Sequence, residues 1–454
     1  MNKTIAAGTL LALLVVPFAA LAAAAQDGGG KSVFSDPEWR KRFLGSYGFL
    51  SGAEPDIAPR ELELLREVID LMQANPRAAA ARLTGEVGEQ SSAALDFILA
   101  NLQFQNGDLD AAVANYENAL RKFPDFRRAH KNLGLLRVQR GELKQAATHL
   151  TRAIELGDRD GRNYGLLGFA YLDLENHLAA EVAYRNAILQ EPETRDWQLG
   201  LARALLAMEK YHEAAALFDS LLERDPADTQ IWMLQANAYV GLERPLDAAV
   251  NLEAVRALGK AQPQSLQLLG DIYMNAQMYE LATDAYQEVI RSDEDASRFD
   301  TAIRSAELLI RTRAYGEAEQ VLAAIDQRYQ GLSDENELRV LTLKAKVARA
   351  RGREKEGAGL LESIVSRDGT RGDALLELAD YYEKQGNDER ALLLIERAEK
   401  VEEFEHPALL AHAQLLVGRR DYAEAAELLR RALSIKHEAR VAQFLARVEE
   451  AARG

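Results

Sequence analysis

The chain has 454 residues, a formal net charge of −16, and 48% hydrophobic but only 7% aromatic residues. An acidic balance of that size argues against nonspecific binding to nucleic acid or anionic lipid, which needs clustered Lys and Arg, and the apolar content excludes general disorder. Cysteine is absent, so there is no disulfide, thiolate metal site, cysteine nucleophile or lipid-bearing N-terminal cysteine.

In chain order, residues 1–25 read as a secretory signal. Lys3 supplies the positive start, Ile5 to Leu21 is an apolar run, and Ala22 to Ala25 offer small residues before Gln26. The alternative is an uncleaved anchor, since the run is nearly long enough to span a bilayer. Either reading places the rest outside the cytoplasm, in the periplasm, with no stable insertion once the signal is removed. Residues 26–59 form a lead-in. Ser35, Asp36 and Pro37 start a capped helix that Gly45 stops. Trp39 and Phe43 share one face of it, Arg40, Lys41 and Arg42 surround them, and Tyr47 follows. Such a segment is either a docking anchor or an extra cap on the first hairpin. Residues 60–92 read as a degenerate capping hairpin divided at Asn75-Pro76, an N-cap followed by proline at the first helical position.

From there a period of 34 governs the chain. Small residues recur at Ala100, Gly134, Gly168, Ala202, Ala236 and Gly270, and again at Ala112, Ala146, Ala180, Ala214, Ala248 and Ala282. A larger residue follows the second series four positions on: Tyr116, Leu150, Tyr184, Phe218, Leu252, Tyr286. Each unit has two apolar stripes of helical period, separated by a turn with Gly107, Gly141 or a polar equivalent such as Glu175-Asn176. No hairpin of this kind buries its apolar faces alone, so neighbours must stack. Units start at 93, 127, 161, 195, 229 and 263, forming a block over 93–298. An irregular seventh unit and linker span 299–337, with residues 331–337 breaking the phase as a candidate hinge. Three more units, at 338, 372 and 406, fill 338–439, and 440–454 form a capping helix.

The pattern resembles the tetratricopeptide repeat. The third unit carries it most fully, with Tyr164, Leu167, Gly168, Tyr171, Ala180, Tyr184, Ala187 and Pro192. The resemblance implies an all-α, right-handed superhelical solenoid of about ten hairpins that binds proteins along the groove lined by its first helices. It implies a non-catalytic scaffold without cofactors. Carried over position by position, the groove residues of units one to three are Phe97, Asn101, Phe104, Arg128, Lys131, Asn132, Arg162 and Phe169. Asn101, Asn132 and Arg162 match the family's carboxylate clamp, whereas Phe97 and Leu166 stand where it has lysine and arginine. A second basic strip, Arg339 to Arg353, is expected to pair with Asp380 and Glu383. The run Phe43, Leu44, Gly45, Ser46, Tyr47, Gly48, then Glu54-Pro55, is similar to the lead-in of repeat proteins of TonB-type energy-transduction systems. This implies TonB-like or proton-channel partners in the cell envelope. A helper in outer-membrane protein or polysaccharide export is the rival expectation, and an enzyme with an unrecognised site a third. Searches for a phosphate loop, a dinucleotide fingerprint and a serine elbow find nothing, and the seven histidines are scattered without metal-ligand spacing.

Overall fold

The computed structural model describes residues 54–453, so the signal segment and Trp39, Phe43 and Tyr47 lie outside the described residues. A leading hairpin joins α1 (Leu62–Ala74) to α2 (Pro76–Thr84). Asn75 caps α2, its Oδ1 accepting from the Ala78 N–H at 3.1 Å, with Pro76 at the first helical position. Ten hairpins follow. The first five pair α3 (Ala93–Asn106) with α4 (Leu109–Lys122), α5 (Arg127–Gln139) with α6 (Leu143–Glu155), α7 (Gly161–Asp173) with α8 (His177–Gln190), α9 (Arg195–Ala207) with α10 (Tyr211–Arg224), and α11 (Thr229–Gly241) with α12 (Pro245–Ala257). The next five pair α13 (Pro263–Asn275) with α14 (Tyr279–Ser292), α15 (Phe299–Arg311) with α16 (Tyr315–Arg328), α17 (Asp334–Ala350) with α18 (Glu354–Arg367), α19 (Gly372–Lys384) with α20 (Asp388–Ala398), and α21 (Glu405–Arg419) with α22 (Tyr422–Ile435). The last helix, α23 (Ala439–Arg453), buries Val441 and Val448 against the tenth hairpin. The all-α class and the consecutive packing of helix pairs are as the repeat implies. The chain falls into two compact units, one ending at Gly259 and one beginning at Lys260.

Two local devices explain why these residues make hairpins. The first is the backbone between paired helices. A left-handed residue recurs there at Gly107, Gly141, Glu175, Glu209, Glu243, Gln277, Arg313, Gly352, Gly386 and Arg420. The step is 34 except where it widens at Arg313 and at Gly352, the latter across residues 331–337. At these points one N–H turns back to cap the first helix; Asn176 N donates to Tyr171 O at 2.8 Å and Lys210 N to Leu205 O at 2.9 Å. Only glycine occupies that conformation without Cβ strain. The second device is close approach. The Tyr184 ring lies against Gly168 of its own hairpin and Gly200 of the next; a methyl on either glycine would overlap it. Leu150 covers Gly134, and Tyr286 covers Gly270, in the same way. Trp197, only 1% exposed, packs its ring on Gly165 of the preceding hairpin and donates Nε1–H to Glu191 Oε2 at 3.1 Å.

Charged side chains add a stitch one repeat long. Lys131 reaches Asp160 at 2.5 Å, Arg152 reaches Asp125 at 2.5 Å, Arg162 reaches Glu191 at 3.3 Å, Arg185 reaches Glu213 at 2.9 Å, and Arg195 reaches Asp228. Where residues 331–337 interrupt the phase, Ser333 caps the longer α17, its Oγ accepting from the Asn336 N–H at 3.4 Å.

Two substitutions separate the devices. Glu209→Gly removes left-handed strain at the cost of added chain entropy, for an expected net gain of roughly 0.5–1 kcal/mol. Gly200→Ala drives a methyl into the Tyr184 ring, an overpacking expected to cost about 1–3 kcal/mol. Urea midpoints should move in opposite directions.

Candidate protein-docking surface

The sequence placed a groove on α3, α5 and α7, and the structure closes much of it. Phe97, Asn101, Phe104 and Asn132 are buried, at 1%, 0%, 5% and 2% exposure. They are core side chains rather than groove-facing ones, because α3 is covered along its length: every residue from Ala93 to Phe104 is buried, with the leading hairpin on one side and α4 on another. Phe97 stacks on Phe126 with ring centroids 4.7 Å apart, and the Arg128 guanidinium sits over its ring at 5.2 Å. The amides that matched a carboxylate clamp turn into the core: Asn132 Nδ2 donates to Asn101 Oδ1 at 2.9 Å, the Tyr116 hydroxyl donates to the same oxygen at 2.5 Å, and Asn101 Nδ2 is buried without a partner among the described residues. Leu166, at the clamp's arginine position, is fully buried.

The basic island is likewise neutralised within the chain. Arg128 pairs with Glu54 at 2.6 Å, Lys131 with Asp160, and Arg162 with Glu191 and Asp160. Beside Glu54 lies a cleft of about 510 Å³ whose lining includes Asp56, Ser92 and Lys122. Lys122 serves buried Asp96 at 2.5 Å, yet burial still raises the Asp96 carboxyl above its ordinary value. The strip on α17 also pairs internally. Arg349 binds Asp380 and Glu377, each at 2.8 Å, as the sequence suggested for Asp380, while Arg351 and Arg353 share Glu319. Glu383 takes no cation from the strip among the described ion pairs.

Partly exposed side chains lie further along the first helices. Phe169 on α7 keeps partial exposure, and the equivalent positions one and two repeats on are Arg203 and Asn237, both half-buried. The next row, Leu172, Leu206 and Val240, is also half-buried. Arg203 makes no hydrogen bond or ion pair with the described residues, and burial pushes its guanidinium pKa below the usual value. A half-desolvated arginine beside apolar side chains favours an incoming carboxylate. Sequence reading missed Arg203 although the signal was present: it stands 34 residues after Phe169. This wall offers apolar contact, one anion-seeking group and, at Asn237, an amide. Among the described residues no cluster of three or more His, Asp or Glu could hold a metal ion, and no helix is long and apolar enough to cross a membrane.

Two of the scattered histidines meet. His130 Nε2–H donates to Pro124 O at 2.9 Å, so its Nδ1 accepts from His149 Nδ1–H at 3.0 Å. This pairing requires at least one of the two rings to be neutral, and burial favours the neutral form of both. Burial pushes His149 down to about 4, with the charges of His130 and Arg137 adding to it, and burial lowers His130 as well.

Tetratricopeptide repeat models match residues 97–161, 171–238 and 263–295. Among curated proteins, the chain is 29% identical over 121 residues to the general transcriptional corepressor trfA of Dictyostelium discoideum, covering 26% of this chain and 9% of that protein. It is 22% identical over 434 residues to cellulose synthase operon protein C of Pseudomonas fluorescens, covering 75% of this chain and 34% of that protein. The chain thus spans well under half the length of these relatives. Similar solved structures include YrrB, a repeat protein with an unusual peptide-binding site, at 21% identity and TM-score 0.39 over 41% of this chain and 96% of that one. A tetratricopeptide repeat protein from Parabacteroides merdae matches at 19% identity and TM-score 0.35, over 54% of this chain and 96% of that one.

The histidine pair has a signed consequence. Folded-state values below the ordinary 6.5 mean that its stabilisation is present above pH 6.5 and is lost as pH falls toward 4. Partial exposure limits the loss to on the order of 1–3 kcal/mol. The urea midpoint is expected to drop across this window in the native protein, and to drop less in His149→Gln.

Proposed function

We propose that this tetratricopeptide repeat protein is a non-catalytic docking array of the periplasm that assembles a cell-envelope complex. A partner segment lies along the first helices of the third to fifth hairpins, where Arg203 receives an acidic side chain or a C-terminal carboxylate. The observation that carries the reading is the half-buried wall of Phe169, Leu172, Leu206 and Val240 around an arginine that makes no ion pair with the described residues, Asp196 and Asp228 acting on it only at longer range. Apolar anchors beside one charge-assisted pair are the usual basis of peptide capture on such a surface. Repeat scaffolds of this fold generally work by binding other proteins.

The partner class has two readings. The lead-in around Phe43 and Tyr47 supports TonB-like or proton-channel components. The match to cellulose synthase operon protein C over 75% of this chain supports a helper in polysaccharide export.

Crosslinking in intact cells followed by membrane pull-down distinguishes them. TonB-like or proton-channel proteins are expected under the first reading, and polysaccharide-export or outer-membrane subunits under the second; recovery of neither removes both. Arg203→Glu is expected to reduce recovery at least fivefold, about 1 kcal/mol or more, with the helical circular-dichroism signal unchanged. Unchanged recovery removes this wall as the docking site. Cell fractionation with N-terminal sequencing tests the location: the mature chain is expected to begin at Gln26 in the periplasmic fraction.

A further inference from the structure

The second helices of the third, fourth and fifth hairpins carry an exposed apolar face that no element among the described residues packs against. On α8, Leu178 is 68% exposed, Val182 62% and Leu189 75%; on α12, Leu246 is 45% and Val250 65%. Leu178 and Leu246 hold the same repeat position, as do Val182 and Val250, two repeats apart. Between them on α10 those positions are His212 and Ala216, both exposed. The Arg185–Glu213 pair at 2.9 Å fixes α8 beside α10. The corresponding residues of the second hairpin are Lys144 and Thr148, so the face has a polar edge there.

We propose that this face is where a second copy of the chain binds, in an isologous dimer whose two-fold axis runs along α10. Three observations select that occupant. The axis sets α8 of one copy over α12 of the other, so Leu178 and Val182 meet Leu246 and Val250, while small Ala216 at the centre lets the two α10 helices approach. The same rotation sets Arg185, one turn beyond Val182, over Glu253 of the other copy, so that the Glu181–Arg185–Glu213 network of one copy meets the Glu253–Arg256 pair (3.3 Å) of the other. The area also fits. The five exposed side chains present roughly 500 Å² of apolar surface, about the apolar share of the ~800 Å² that each partner contributes to a standard interface. A patch of that size is about as large as the largest one on a typical monomer, and such patches are often functional. Two contacts oppose the pairing: exposed Asp219 and Glu223, beyond Ala216 on the same face of α10, lie near the axis and each meets its own copy.

The chain has no cysteine, so single-cysteine variants read the register directly. In the protein purified as the cell accumulates it, sedimentation at tens of micromolar is expected to show a dimer that tightens as salt rises, because each copy carries a charge of −16. Val182→Glu and Val250→Glu should each give monomers with unchanged helical content, since neither side chain is buried in the fold. Asp219→Asn should tighten the dimer by about threefold. Under mild oxidation, an equimolar mixture of Val182→Cys and Val250→Cys should form the disulfide, as should Ala216→Cys alone, whereas Val182→Cys alone should not. A monomeric wild-type protein overturns the proposal, as does a dimer that survives both glutamate substitutions. Efficient crosslinking of Val182→Cys to itself overturns the register and with it the two-fold along α10.

Discussion

Several hairpins stack so closely because one large side chain lies flat against a backbone that has no Cβ. Tyr184 between Gly168 and Gly200 is the clearest instance, with Leu150 on Gly134 and Trp197 on Gly165 as variants. Each such contact joins a hairpin to itself or to its neighbour, and the spacing of neighbours sets everything else. It fixes which face of each first helix is closed, which residues of the second helices point outward, and which charges come within reach one repeat on. The ion pairs Lys131–Asp160 and Arg162–Glu191 follow from that spacing rather than causing it. These pairs are largely buried, so the cost of desolvating the charges offsets much of their attraction.

Much of the fold was legible because its physics is local and repeated. The 34-residue step of small residues marked the hairpins, and the structure starts first helices at Ala93, Arg127, Gly161, Arg195, Thr229 and Pro263, where the period places them. Both phase jumps reappear in the left-handed turn series, at Arg313 and Gly352. The turn at Glu175-Asn176 was readable as a glycine equivalent, and Glu209, Glu243 and Gln277 occupy the same place.

The candidate site was legible only in part, and for a definite reason. A positional rule for groove residues assumes that the groove is open at every unit. At the first unit it is not: the leading hairpin packs on α3, and Glu54 closes over Arg128, so Phe97, Asn101 and Phe104 became core. Periodicity cannot report what lies before the first repeat. Nor does composition reveal which cation already has an acid. Arg128, Lys131 and Arg162 looked like an anion-seeking island until stacking brought Glu54, Asp160 and Glu191 to them, whereas Arg203 drew no attention yet is the one left on the apolar wall without such a partner among the described residues. The wall and the outer apolar face are on different helices of the same hairpins, so a bound segment and a second copy would not compete for the same side chains.

The reach of the stitching contacts bears on how the chain acquires its structure. Lys131 finds Asp160, Arg185 finds Glu213, and Asn132 finds Asn101, each about one repeat away in sequence. Loops of that length close at nearly constant entropic cost whatever the total length of the chain, and contact order stays low. A hairpin emerging into the compartment where it folds therefore meets its neighbour as soon as the next thirty or so residues arrive. Assembly of the described hairpins can proceed in chain order, and none of these contacts has to wait for a partner at the far end of the sequence.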